Sequence, residues 1–146
     1  MVTMQYPLET KDLSVTFNPG SADEVVAFSD ITFSLKPEEI LAIVGPSGCG
    51  KSTLFNVIAG LQPATAGEVF VNGTRVLDAK GQVGYMLQKD MLLPWRSVRD
   101  NVSLGLEIKG VAREKRHAVA DRLIAAYGLK GFEESKPGTL SGGMRQ

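Results

Sequence analysis

The sequence is poor in cysteine, histidine and tryptophan, with one of each in 146 residues. The single thiol, Cys49, has no second cysteine to pair with, which excludes a scaffold held by internal disulfides. A charge surplus is also lacking, because 16 basic residues are balanced by 16 acidic ones. Nucleic-acid-binding proteins use a basic surplus to neutralise phosphates, so the balance predicts that nucleic acid is not a partner.

Long apolar runs are missing as well. The densest apolar stretch, Ile40–Val44, is far shorter than the roughly 18 residues that a membrane-spanning helix requires. The start of the chain has acidic residues and no apolar segment of the secretory type. We therefore expect any action at a membrane to depend on a partner. The remaining composition, 43% hydrophobic and 22% charged, is that of a globular domain.

Several apolar patterns predict strands in the first part of the chain. Apolar and polar residues alternate in Leu13–Phe17 and again in Ile31–Leu35, which is typical of half-buried strands. The unbroken run Ile40–Val44 favours a strand buried on both faces of a parallel sheet. Two short strands are also predicted at Val69–Val71 and Val83–Met86, with an Asn-Gly turn signal between them.

Helical spacing follows in two places. Leu54, Ile58 and Leu61 fall at helical spacing and predict a helix, which Gly60 and Pro63 bring to an end. The stretch 112–127 predicts a second helix with one apolar stripe, and Ser97 or Asp100 is expected to cap a short helix before it. The apolar stripe consists of Val119, Leu123, Ile124 and Tyr127.

The segment that joins Ile40–Val44 to the first helix has the sequence GPSGCGKST and fits the Walker A pattern G-x-x-x-x-G-K-[ST]. Its glycines allow backbone N–H groups to surround an anion, and the helix directs its positive end to the same point. The alternative is a plain glycine-rich turn. The predicted nucleotide-binding residues are Gly45, Pro46, Ser47, Gly48, Cys49, Gly50, Lys51, Ser52 and Thr53, with the Ser52 hydroxyl offered to Mg²⁺.

A second glycine-bearing segment, Leu140–Gln146, reads LSGGMRQ. Ser141, Gly142 and Gly143 stand at the start of a predicted helix, where backbone N–H groups form an anion site. By itself the segment is also compatible with an ordinary helix start capped by Ser141. Its position downstream of a Walker A loop favours the anion site.

Together the two segments resemble the ATP-binding subunits of ABC transporters, in which Walker A precedes an LSGGQ signature; Met144 replaces the usual glutamine. The resemblance implies an α/β fold, with a P-loop NTPase (RecA-like) core, an N-terminal antiparallel β subdomain and the start of an α-helical subdomain. Residues 1–86 are expected to form the β subdomain and P-loop core. Residues 87–146 are expected to form the Q-loop and part of the helical subdomain, with the rest of the domain outside this sequence.

The resemblance also implies ATP and Mg²⁺ as cofactors and a head-to-tail dimer, in which the signature of one subunit closes on ATP held by the other. Gln88 matches the Q-loop glutamine that contacts Mg²⁺ and the attacking water, although a single glutamine is also a common solvated loop residue. Phe17 is the candidate for the aromatic that stacks on adenine, where the family more often has tyrosine; the alternative is a core residue of its strand.

The stretch Met91–Val98 is similar to the Leu-Leu-Pro-Trp segment of ATPases in the nitrate, sulfonate and taurine importer group. It is implied to contact a transmembrane permease subunit, with a solute-binding protein as an indirect partner. The alternative for Trp95 is a place in the core. The implied location is peripheral, on the cytoplasmic face of the cell membrane, and the resemblance does not identify the transported solute.

The sequence contains no apolar strand ending in Asp-Glu after the signature and no switch histidine, since His117 lies among basic residues on a predicted solvated helix face. Phosphoryl transfer needs a group that positions the attacking water, so these residues alone are not expected to turn over ATP. The predicted function is the ATP-binding subunit of an importer. The alternatives are a truncated, non-catalytic nucleotide-binding module and a soluble ABC ATPase outside transport.

Overall fold

The computed structural model describes residues 6–76 and 83–146. They form two compact units, Met1–Tyr85 and Met86–Gln146, which are described in turn.

The first unit is built on a four-stranded antiparallel sheet. Its strands are β1 (Leu8–Phe17), β2 (Val25–Leu35), β3 (Ala66–Val71) and β4 (Thr74–Arg75), in the order β2-β1-β3-β4. The long strand β1 pairs with β2 on one side and with β3 on the other. The predicted antiparallel subdomain is confirmed. The strands predicted at Leu13–Phe17, Ile31–Leu35 and Val69–Val71 are confirmed as parts of β1, β2 and β3.

The core of this unit lies between the sheet and helix α1, which spans Lys51–Ile58. Leu13 and Val15 of β1 are almost completely buried, as the alternating pattern predicts. Burial of an aliphatic side chain contributes about 1.5–3 kcal/mol, so this cluster holds the helix on the sheet. The other buried members of the cluster are Leu54, Val57, Ile58 and Val69.

Two predicted strands are wrong. Ile40–Val44 has no regular secondary structure, and the side chains of Ile40 and Val44 are 95% and 90% exposed. A strand buried on both faces needs neighbours on either side, and no strand in residues 6–76 and 83–146 pairs with this run. Residues 83–86 are not a strand either. After the turn at Asn72 and Gly73, β3 pairs with β4.

The second unit consists of short helices: α2 (Val98–Val102), α3 (Leu104–Ile108), α4 (Arg113–Ala126) and α5 (Gly142–Arg145), with a 3-10 turn at Pro137–Thr139. Its core contains four buried residues, Val98, Ala120, Ile124 and Leu140. The stripe predicted for α4 is therefore only partly correct. Ile124 is buried and Ala120 joins it, whereas Tyr127 follows the last helical residue and is 80% exposed.

Helix α2 is held at its first turn by polar contacts. The Ser97 hydroxyl accepts a hydrogen bond from the Asp100 N–H at 3.1 Å, which confirms Ser97 as the cap. The N–H groups of Val98 and Arg99 donate to the carbonyl oxygens of Ser135 and Glu133, each at 2.9 Å. The start of α2 is therefore fixed to the loop that precedes the 3-10 turn.

Side chains also join α2 to α4. The Arg99 guanidinium donates to Asp121 at 2.6 Å and also pairs with Glu134. His117 Nε2 lies 3.1 Å from a carboxylate oxygen of Asp100. The prediction of a solvated face around His117 is therefore wrong, because the α4 turn that carries it faces the start of α2. Within residues 6–76 and 83–146, no helix combines the length and apolar character needed to cross a membrane.

Candidate functional site

The glycine-rich loop runs into α1 in the first unit. Gly50 is the N-cap residue of α1 and has a left-handed backbone with φ of 89°. No side chain caps the helix at this end, so its first N–H groups remain available to an anion. Ser52 and Thr53 occupy the first turn of α1, with Ser52 exposed. The local structure is the loop-to-helix transition that a phosphate site needs.

Lys51 folds back across this loop. Its ammonium group donates to the carbonyl oxygens of Gly45 at 2.8 Å and Pro46 at 2.7 Å, and lies 3.3 Å from the Cys49 sulfur. These contacts hold a positive charge inside the turn of the loop. An anion bound there meets that charge without the cost of ordering a long side chain first.

Space restricts two of the glycines, and for Gly50 the left-handed backbone angle does so as well. A Cβ on Gly50 would lie 2.5 Å from the carbonyl oxygen of Ala27 in β2, and one on Gly45 would lie 2.7 Å from the Cys49 sulfur. Gly48, with φ of 83°, has nothing near its Cβ position, so its backbone angle alone favours glycine. The loop is thus packed against β2 at one end and left open at its tip.

Phe17 is the last residue of β1, opposite Val25 of β2, and its side chain is 41% exposed. Its neighbours on the same strand alternation, Leu13 and Val15, are buried in the core. Phe17 therefore lies outside the core of the unit, and its ring is accessible to a ligand.

The other predicted site residues belong to the second unit. Ser141 caps α5, and its hydroxyl accepts from the Met144 N–H at 3.3 Å, while Gly142 and Gly143 form the exposed first turn. Arg145 stabilises this turn, because its guanidinium donates to Asp90 at 2.8 Å and to the Leu140 carbonyl at 3.0 Å. The arrangement leaves Gly142 and Gly143 uncovered.

Gln88 is exposed in an irregular segment ahead of α2. The stretch that follows is held by Asn101, whose amide accepts from the Leu93 N–H at 2.8 Å and donates to the Leu93 carbonyl at 3.1 Å. Sequence reasoning missed Asn101, and a single polar residue within a short helix offers little signal for such a role. Trp95 is 69% exposed and is not a core residue, and Lys136 donates to its carbonyl at 2.8 Å.

The chain is similar in sequence to known proteins. A family model described as "ABC transporter" matches residues 28–146. A taurine import ATP-binding protein of Roseobacter denitrificans is 39% identical over 139 residues, which cover 95% of this chain and 52% of that protein. A second, from Pseudomonas fluorescens, is 43% identical over 128 residues, covering 88% and 48%. The chain thus spans about half the length of the curated relatives it matches.

A solved structure shares the fold. The ATP-binding cassette MJ0796, in a dimeric post-hydrolysis state bound to ADP and Pi, superposes with a TM-score of 0.81 at 28% identity. The match covers 94% of this chain and 65% of that one. The antiparallel sheet and the helices described above are therefore those of part of a P-loop NTPase domain of the cassette type.

Proposed function

Because the chain belongs to the ABC transporter family, we propose that its Gly45–Thr53 loop binds Mg-ATP and that it forms part of an ATPase subunit that powers solute import. The observation that carries the proposal is the position of Lys51, whose ammonium lies within 2.8 Å of two loop carbonyls beside the uncapped start of α1. Phosphate is stabilised by the combination of a fixed cation, convergent N–H groups and a helix dipole.

Within this site we assign roles by chemistry. The Ser52 hydroxyl is a ligand for Mg²⁺, Lys51 neutralises the β- and γ-phosphates, and Thr53 donates to the α-phosphate. Phe17 stacks on adenine, a role supported by its exposed ring at the end of β1. Gln88 contacts Mg²⁺ and the attacking water in the assembled subunit, which its exposed place ahead of α2 permits.

We propose that Ser141, Gly142 and Gly143 bind the γ-phosphate of ATP held by a second ATP-binding subunit in a head-to-tail dimer. Support comes from the exposed, serine-capped first turn of α5. The dimeric state of the solved cassette MJ0796 also supports this assembly. ATP then joins the two subunits, and hydrolysis releases them, so that nucleotide state controls association.

The segment Met91–Val98 is the proposed contact for a transmembrane permease. Met91 and Trp95, four positions apart, both expose apolar surface, and aromatic and methionine side chains are enriched at protein interfaces. The names of the taurine import relatives support an importer. We propose that this importer works with a solute-binding protein and that the chain acts at the cytoplasmic face of the membrane. The solute is selected by those partners, and taurine-like sulfonates are the class to test first.

Mg-ATP binding is tested by calorimetry on the 146-residue chain. Lys51→Ala is expected to weaken affinity at least about tenfold, which corresponds to about 1.4 kcal/mol and is modest for loss of a charged partner of phosphate. Lys130→Ala removes an equal charge from an exposed site in the second unit and serves as the matched control. Equal affinity in wild type and Lys51→Ala, or equal losses in both variants, contradicts the proposal.

A further inference from the structure

A shallow pocket of about 290 Å³ opens on the second unit. One of its lining residues, Arg96, belongs to the segment Met91–Val98, and the other four lie outside the segments assigned above to nucleotide and permease. Side chains from the stretch before α2, from α2 and α3, and from the start of α4 line it. They are all charged: Arg96, Asp100, Glu107, Arg113 and Arg116. Three guanidinium groups and two carboxylates leave a surplus of one positive charge.

Both carboxylates in the pocket are already engaged by its own walls. Glu107 receives two hydrogen bonds from Arg96, at 2.6 and 3.3 Å, and lies 3.3 Å from Arg116. Asp100 lies 3.1 Å from His117. These contacts leave little capacity for a further cation, and they hold the guanidinium groups of Arg96 and Arg116 against Glu107.

Donor groups, in contrast, are left over. Arg116 Nε is buried and is the one buried side-chain nitrogen or oxygen without a hydrogen-bond partner in the described part of the chain. The Arg113 guanidinium forms no hydrogen bond or salt bridge with any described residue, although its charge acts on the Asp100 carboxylate. It is also the first residue of the 14-residue helix α4, whose N-cap residue, Ala112, provides no side-chain cap. A buried donor without an acceptor costs about 1–3 kcal/mol, which an incoming acceptor recovers.

From these features we propose that the pocket is a second anion site, separate from the nucleotide loop, which binds a phosphate or carboxylate group between Arg113, Arg116 and the first turn of α4. Arginine is suited to this ligand because its planar donors match the oxygens of both groups. The helix start adds roughly half a positive charge. Arg96 contributes charge from the opposite wall while it remains bound to Glu107.

The test is a titration of the ¹⁵N-labelled chain with inorganic phosphate, and separately with acetate, at constant ionic strength. It is performed on the Lys51→Ala variant, in which binding of phosphate at the Gly45–Thr53 loop is expected to be weaker, and it is read at residues 113–116 of the second unit. Saturable shifts of the backbone amides of residues 113–116 are expected. Arg113→Gln is expected to weaken binding roughly five- to tenfold, since one charge-assisted contact is removed. Arg122→Gln, an exposed arginine of the same helix outside the pocket, is expected to leave the affinity unchanged.

Linear shifts that do not saturate, or equal losses in Arg113→Gln and Arg122→Gln, overturn the proposal. Tighter binding of phosphate than acetate assigns the site to a phosphate group, and the reverse order assigns it to a carboxylate. The result is independent of the proposed ATP site, because failure of Mg-ATP binding at Lys51 leaves residues 113–116 unaffected.

Discussion

At the scale of single residues, Gly67 shows how strongly one position depends on the absence of a side chain. It lies in β3 where the pairing with β1 shifts register between Lys11 and Ser14. Its φ is 82°, and a Cβ there would lie 2.3 Å from the carbonyl oxygen of Asp12. Neither the backbone angle nor the space admits another residue.

Gly67→Ala is therefore expected to lower the free energy of unfolding by more than about 2 kcal/mol, from backbone strain and the clash with Asp12. Gly105→Ala is the control. Gly105 lies inside α3 with nothing near its Cβ position, so alanine there is expected to raise the free energy of unfolding by about 0.5–1 kcal/mol. Urea unfolding of both variants provides the measurement. Equal stability of Gly67→Ala and wild type contradicts the reading of this site.

The sequence predicts the local structure of the glycine-rich loop better than it predicts the surroundings of His117. The spacing of Gly45, Gly50 and Lys51 predicts a loop followed by a helix, and the structure has that local form. The contacts of Lys51 with two carbonyls depend on the path of the loop and have no signal in the sequence. His117 was misassigned because its basic neighbours suggested solvent, whereas its contact with Asp100 arises from the packing of α4 on α2.

At the scale of elements, the side-chain contacts between α2 and α4 depend on ionised carboxylates. Burial alone raises the pKa of the Asp100 carboxyl. Hydrogen bonds from Ser97 and His117, together with the nearby charges of His117 and Arg113, outweigh it and lower that pKa below its ordinary value. The side-chain hydrogen bond from Arg96 likewise lowers the pKa of Glu107.

A lowered pKa in the folded state means that stability is present above the unfolded pKa, about 3.9 for aspartate, and is lost as pH falls through the folded value. Asp100→Asn is therefore expected to reduce the loss of stability between about pH 5 and pH 2.5, because one group no longer takes up a proton on unfolding. Urea unfolding at a series of pH values measures this. Asp23→Asn, in an exposed loop, is the control. If the free energy of unfolding of Asp100→Asn falls with decreasing pH as steeply as that of wild type, the proposed contribution of Asp100 is contradicted.

The same scale explains which strands the sequence predicts. Strands β1 and β2 alternate because one face meets α1 and the other meets solvent, and this pattern is local. The run Ile40–Val44 has the composition of a central strand, but burial of such a run depends on neighbouring strands that composition does not specify. In the described structure Ile40 and Val44 are exposed, and no described strand pairs with this run.

At the scale of the whole molecule, the chain covers 52% of one taurine import relative and 53% of an ABC transporter ATP-binding protein from Methanocaldococcus jannaschii. Its described residues hold the groups proposed to clamp phosphate and metal. Phosphoryl transfer also needs a group that activates the attacking water, and of the residues assigned to the proposed site only Gln88 is proposed to contact that water. Binding and turnover are therefore expected to separate in this chain.

The 146-residue chain is accordingly expected to bind Mg-ATP without steady-state hydrolysis. Phosphate release, measured with purified protein against Lys51→Ala, checks this. Turnover above background that disappears in Lys51→Ala would show that the present residues suffice for chemistry. Release that is identical in both proteins is the expected result.

The placement of β1 between β2 and β3 has a consequence for cleavage. The glycine-rich loop and α1 lie in the stretch that connects β2 to β3, and both of those strands are hydrogen-bonded to β1. A protease that cuts the exposed run near Ile40 therefore produces two fragments that the sheet still joins. The severed halves remain one particle, and the cut becomes visible only when denaturant separates them.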